Sequence, residues 1–124
     1  MKVALVGSGR IAERHAAVLT SGSIKGIELA GVCDTTVSKA HTLGLKYSAP
    51  AFFDADKMIE EVEPDVISIL TESGNHSKNV RDLVRHRKHF VVEKPLALAV
   101  SDAQAMVAAC EEANVKLFVV KQNR

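Results

Sequence analysis

The stretch VVEKPLALAV, Val91 to Val100, carries a charged pair and a proline, Glu93-Lys94-Pro95, inside an otherwise apolar run. Lysine is rarely buried without a partner, so Lys94 is either a surface cation at a strand end or a positioned chemical group. A second chemical signal lies near the start of the chain. Gly7-Ser8-Gly9-Arg10-Ile11-Ala12 follows the apolar run Val3 to Val6 and precedes a helical pattern, which is GxGxxG/A in the strand-turn-helix context of a dinucleotide site. Gly7 suits the tight turn, Gly9 lets a pyrophosphate approach the backbone, and Ala12 allows close packing while the helix N-terminus faces the anion. The competing reading is a glycine turn in some other α/β domain.

Asp34 closes the apolar run Ile27 to Cys33, where a carboxylate can accept hydrogen bonds from both hydroxyls of an adenosine ribose. Thr35 and Thr36 follow it, so a 2′-phosphate would meet negative charge without an adjoining cation, which favours NAD over NADP. An ordinary turn aspartate is the plain alternative. A third polar cluster, Thr71-Glu72-Ser73-Gly74-Asn75-His76, follows the apolar run Val66 to Leu70. His76 opens a helix there and either orients a nicotinamide or ribose or is an exposed polar residue. His86 and His89 fall in the basic run RHRKH, which reads as a solvated helix end rather than a metal site, and no metal is expected.

These groups need a scaffold that brings them to one edge. Apolar runs at Val3 to Val6, Ile27 to Cys33, Ala51 to Phe53, Val66 to Leu70, Phe90 to Val92 and Leu117 to Val120 read as strands. Helical spacing lies between them: Ile11, His15, Val18 and Leu19; Val37 to about Leu43; a helix capped by Asp54 and running through Val62; and Val80, Leu83 and Val84. Ser101 and Gln104 read as a capping box for a last helix with an inward stripe of Ala103, Met106, Val107 and Cys110. Alternation of this kind implies parallel βαβ units and an α/β fold, a Rossmann-type doubly wound sheet of about six strands in the order 3-2-1-4-5-6.

The 124 residues fit one domain, 1–124, and 47% hydrophobic with 25% charged is ordinary globular composition. Sixteen Lys and Arg against fifteen Asp and Glu leave a formal charge of +1, so no general field draws nucleic acid or a membrane. Gly7 and Gly9 interrupt the apolar start, which argues against a signal peptide or membrane span. Cys33 and Cys110 lack metal or CxxC spacing and read as small core residues of a reduced, cytoplasmic protein.

Taken together, GSGRIAERH, the strand-ending VCD, TESGNH, EKPLA and KLFVVKQNR resemble the glucose-fructose oxidoreductase / inositol dehydrogenase / MocA family along the whole chain. The VVKQNR ending resembles its branch of UDP-N-acetylglucosaminuronate 3-dehydrogenases, sugar-nucleotide enzymes of bacterial surface polysaccharide synthesis. The resemblance implies NAD as cofactor, with Gly7, Ser8, Gly9, Arg10 and Ile11 at the pyrophosphate and Asp34 on the adenosine ribose. Thr71, Asn75 and His76 would border the nicotinamide half, with Glu93, Lys94, Gln122 and Arg124 reaching the same pocket. Lys94 would be the catalytic group, sharing acid/base work with a histidine of a second domain. One departure is Glu72, where the family commonly has proline.

The resemblance further implies hydride removal from a sugar hydroxyl carbon, C3 of a UDP-N-acetylhexosaminuronate, by a homo-oligomer with a C-terminal substrate domain absent from this chain. A truncated product or expressed fragment, poorly active alone, is therefore expected, or a gene that ends here. The rival reading is a stand-alone NAD-binding sensor or scaffold module. An S-adenosylmethionine-dependent methyltransferase would share the glycine turn and acidic strand end but has no use for Glu-Lys-Pro at the fifth strand.

Overall fold

Strands and helices alternate as the apolar runs predict. The computed structural model describes residues 1–120. In chain order these form β1 (Lys2–Val6), α1 (Arg10–Thr20), β2 (Glu28–Cys33), α2 (Val37–Tyr47), β3 (Ala51–Phe52), α3 (Ala55–Val62), β4 (Val66–Ile69), α4 (His76–Leu83), β5 (His89–Glu93), α5 (Val100–Glu112) and β6 (Leu117–Val120). Short 3-10 turns at Ser73–Asn75 and Val84–His86 flank α4. The six strands are parallel in the order β3-β2-β1-β4-β5-β6, as the alternation predicts.

Successive side chains on a strand point to opposite faces, and here both faces are covered. On β1, Val3 and Leu5 pack with Ala12, Ala16 and Leu43 of α1 and α2. Ala4 and Val6 join Met58, Val80, Leu83 and Met106 of α3, α4 and α5 in the larger cluster. Phe90 of β5 is wholly buried in that cluster, and burying a side chain of this kind contributes roughly 1.5–3 kcal/mol. Leu117 packs on the same cluster, so alternation turns Phe118 to the opposite face, where it is 53% exposed. The parallel arrangement sends every strand's carboxyl end to one edge. That edge carries Gly7 to Gly9, Asp34, the segment from Thr71 to His76, and Glu93 with Lys94.

Several local expectations give way to tertiary contacts. The second helix does not end at Leu43; it runs to Tyr47 and stops at Ser48, which takes the left-handed conformation with φ 56°. Gly44 lies within it, because a Cβ there would stand 2.6 Å from the Ala49 carbonyl oxygen. Ser101 is not a cap. A capping residue must be extended, and that conformation belongs to Ala99, which makes no side-chain cap, so Ser101 already lies in the first turn of α5. On that helix Met106 and Cys110 are buried, whereas Val107 is 40% exposed.

The RHRKH run is also not a simple solvated end. His86 bonds Asp56 of α3 through Nε2 at 2.7 Å, and His89 begins β5 and accepts the Lys116 N–H on Nδ1 at 3.0 Å. Both cysteines are buried free thiols, as their apolar surroundings in the sequence predict. Among the described residues no helix is long and apolar enough to cross a membrane.

Candidate functional site

The turn after β1 is built around Gly7. Its φ of +105° is a conformation that only glycine adopts freely, and a Cβ would lie 2.8 Å from the carbonyl carbon and oxygen of Leu70. Absence of a side chain therefore lets the exit of β1 pass against the exit of β4. Gly7 N–H donates to Cys33 O at 2.8 Å, Ser8 N–H donates to Asp34 Oδ2 at 2.9 Å, and the Ser8 hydroxyl donates to Cys33 O at 3.1 Å. The other oxygen of Asp34 accepts the Thr36 N–H at 2.8 Å.

Gly9 caps α1 with an ordinary φ of −86°, and among the described residues no atom beyond its own chain neighbours lies within 4 Å of the place its Cβ would take. Among the described residues no side chain caps that first turn, so its free amides are left to a ligand or solvent. In front of them a cleft of about 470 Å³ lies between α1 and α2, lined in part by Ser8, Gly9, Arg10, Lys39 and Lys46. Open space, uncapped amides and cations fit a pyrophosphate, and the half-buried Asp34 carboxylate beside them fits a ribose diol. Cations thus reach the cleft from the helices rather than from the residues after Asp34, and Lys46 is paired with Glu13. Ile11 packs its side chain on the core beneath the turn.

At the exit of β4, the Thr71 hydroxyl donates to Asn79 Oδ1 at 2.5 Å and Asn75 is exposed. His76 is only 1% exposed. Its Nδ1 lies 3.0 Å from Pro95 O and 3.3 Å from Leu96 O, and its Nε2 lies 2.9 Å from Thr71 O. All three neighbours are acceptors, so whichever ring nitrogen carries a proton finds a carbonyl. The exposed polar residue that a helix start suggests is instead a buried ring with carbonyls of two loops at its two nitrogens, and its N–H donates to one of them.

Glu93 ends β5, paired in register with Val120. Its Oε1 accepts a hydrogen bond from His15 Nε2 of α1 at 2.7 Å. Lys94 is exposed just beyond the strand and joins none of the ion pairs among the described residues. The Lys94-Pro95 peptide is cis. Sequence reasoning placed His15 only in a helical stripe. The available signal was an imidazole among Ile11, Val18 and Leu19, since a polar group on an inward stripe requires a partner. Gln122 and Arg124 lie outside the described residues. Among the described residues no three His, Cys, Asp or Glu side chains gather as a metal site would require.

Comparison with known proteins agrees with this geometry. The family model described as an oxidoreductase family with an NAD-binding Rossmann fold matches residues 1–121. D-apiose dehydrogenase of Paraburkholderia graminis is 31% identical over 119 residues, which are 95% of this chain and 31% of that protein. D-glucoside 3-dehydrogenase of Escherichia coli is 31% identical over 108 residues, 86% of this chain and 30% of that protein. The crystal structure of the WlbA dehydrogenase from Bordetella pertussis, in complex with NADH and UDP-GlcNAcA, superposes with a TM-score of 0.92 at 34% identity. It covers 99% of this chain and 37% of that one. The chain thus spans about a third of the length of the curated relatives it matches. With the glycine turn, the acidic end of β2 and a parallel sheet of this order in place, the chain belongs to the glucose-fructose oxidoreductase / inositol dehydrogenase / MocA oxidoreductase family and carries its NAD-binding Rossmann fold.

Proposed function

We propose that this chain is the NAD-binding part of a dehydrogenase that oxidises a sugar hydroxyl, and that C3 of a UDP-linked N-acetylhexosaminuronate is the position it serves. The observation that carries the reading is the convergence of Gly7 to Gly9, Asp34 and Lys94 on the carboxyl edge of one sheet. In this reading the first-turn amides of α1, with Ser8, Gly9, Arg10 and Ile11 around them, hold the pyrophosphate. Asp34 accepts the adenosine ribose hydroxyls on lone pairs not used by Ser8 and Thr36. Thr71 and Asn75 flank the nicotinamide half. Bound NAD supplies the hydride acceptor.

Lys94 takes the hydroxyl proton as the sugar carbon gives up hydride, so that an alcohol becomes a ketone. Its side chain is exposed at the strand end and outside the ion pairs among the described residues, which leaves it open to a substrate hydroxyl that its neutral amine can deprotonate. The sugar choice is supported by the UDP-GlcNAcA in the WlbA complex. The greater length of the relatives supports a second domain that completes the sugar pocket and contributes the other acid/base group. The same reading takes the complete enzyme as a homo-oligomer.

Calorimetric titration of the chain with NADH, NADPH and S-adenosylmethionine tests the cofactor assignment. Heat with NADH is expected, and a response to S-adenosylmethionine alone would reverse it. Production of NADH from UDP-GlcNAcA by a longer polypeptide carrying this domain, abolished by Lys94→Ala, tests the chemistry.

A further inference from the structure

Lys94 follows Glu93, and among the described residues no ladder pair holds the strand beyond that point. Two imidazoles from different helices hold its neighbours instead. On one side His15 of α1 bonds the Glu93 carboxylate at 2.7 Å across 78 residues of sequence. On the other, the buried ring of His76 from α4 spans the carbonyls of Pro95 and Leu96 at 3.0 and 3.3 Å and that of Thr71 at 2.9 Å.

We propose that His15 and His76 are positioning residues for Lys94: His76 anchors the backbone that follows it, and His15 keeps the adjoining Glu93 carboxylate from pairing with its ammonium. The inference rests on the reading of Lys94 as the proton-transfer group. Strand alternation helps, because Phe90 and Val92 face the three-helix layer and so turn Val91 and Glu93 toward α1. At a sheet edge, however, a long carboxylate side chain is not confined to its face, and a carboxylate beside a lysine favours the charged form that cannot accept a proton. The His15 bond draws one Glu93 oxygen toward α1, and Glu93 and Lys94 form no ion pair among the described residues. His76 works without touching a ligand, because its ring is enclosed by backbone on all its polar atoms.

The test is the reactivity of Lys94 toward a limiting amine-acetylating reagent in the cofactor-free chain, read by peptide mass spectrometry against exposed Lys25 and Lys57. Thermal unfolding is recorded alongside. His15→Ala is expected to slow labelling of Lys94 relative to those lysines by about three- to tenfold, the scale on which one adjacent carboxylate changes a lysine's neutral fraction. His15→Gln, which keeps a donor, restores the rate, and so does Glu93→Gln added to His15→Ala. His76→Phe and the milder His76→Gln are each expected to change the relative rate at Lys94. An unaltered relative rate, or a change shared by all three lysines, overturns the proposal. Turnover by Lys94→Arg in a longer polypeptide separates the two ideas: full activity there would defeat the catalytic reading of Lys94 while leaving the labelling result standing.

Discussion

The carboxylate of Asp34 locks the turn that carries Ser8: Oδ2 accepts the Ser8 N–H at 2.9 Å while Oδ1 accepts the Thr36 N–H at 2.8 Å. Asp34 therefore ties the exit of β1 to the exit of β2, in addition to any ligand it meets. Asp34→Ala removes the acceptor from both amides, and loss of such bonds costs about 1–3 kcal/mol. Urea unfolding should show that loss in the cofactor-free chain, accompanied by weaker NADH binding in calorimetry. An unchanged unfolding midpoint would mean that the carboxylate has no structural part.

The two glycines of the turn should separate by substitution. Gly7→Ala forces a side chain into φ +105° and to within 2.8 Å of the Leu70 backbone, so the exits of β1 and β4 must part. A destabilisation of about 1–3 kcal/mol or more is expected in thermal unfolding. Gly9→Ala meets no atom of the described residues within 4 Å beyond its chain neighbours, at an ordinary φ, so stability should hold while NADH affinity falls. Equal melting temperatures for the two variants would refute the distinction.

Burial, with Asp34 and Asp54 adding repulsion, pushes the Cys33 thiol up to about 12, and burial also raises Cys110. Thiolate is the reactive form, so neither cysteine should react with iodoacetamide in the native chain at mildly alkaline pH. Alkylation should instead follow global unfolding as urea is added. Rapid labelling without denaturant would contradict the enclosed positions of both side chains.

Asp56 links α3 to the turn after α4, and its carboxyl is held below the ordinary carboxylate range by the His86 hydrogen bond, with Arg85 adding and burial opposing. A lowered folded value means stabilisation present above the unfolded value and lost as pH falls through the folded one. The carboxylate side chain is 38% exposed, so the effect is modest. Acidification from about pH 5 to pH 2 should lower the melting temperature of the parent more than that of Asp56→Asn. Parallel pH curves for the two would exclude this link as an acid-sensitive contact.

The elements were legible because their causes are local. An apolar run such as Val66 to Ile69 marks a strand buried on both faces, and Asp54 caps its helix by accepting the Lys57 N–H. Gly7 and Gly9 sit at the spacing a strand-turn-helix unit imposes on any chain that binds a pyrophosphate there. Contrary cases show the boundary. Gly44 resembles a stop signal, yet it lies inside α2 because another segment passes close to it, and Ser101 resembles a cap, yet the helix begins before it.

By itself, then, the amino-acid order determined the strand-helix alternation, the parallel sheet and the edge on which Gly7, Asp34 and Lys94 meet, since short-range periodicity and handed crossovers leave few other arrangements. The tertiary structure alone decided which partners the polar groups take. His15 finds Glu93 78 positions away, and His76 turns inward to the backbone of Pro95 and Leu96. Such pairings depend on which helix covers which strand, and a hydrogen bond between distant residues leaves no periodic trace in the sequence.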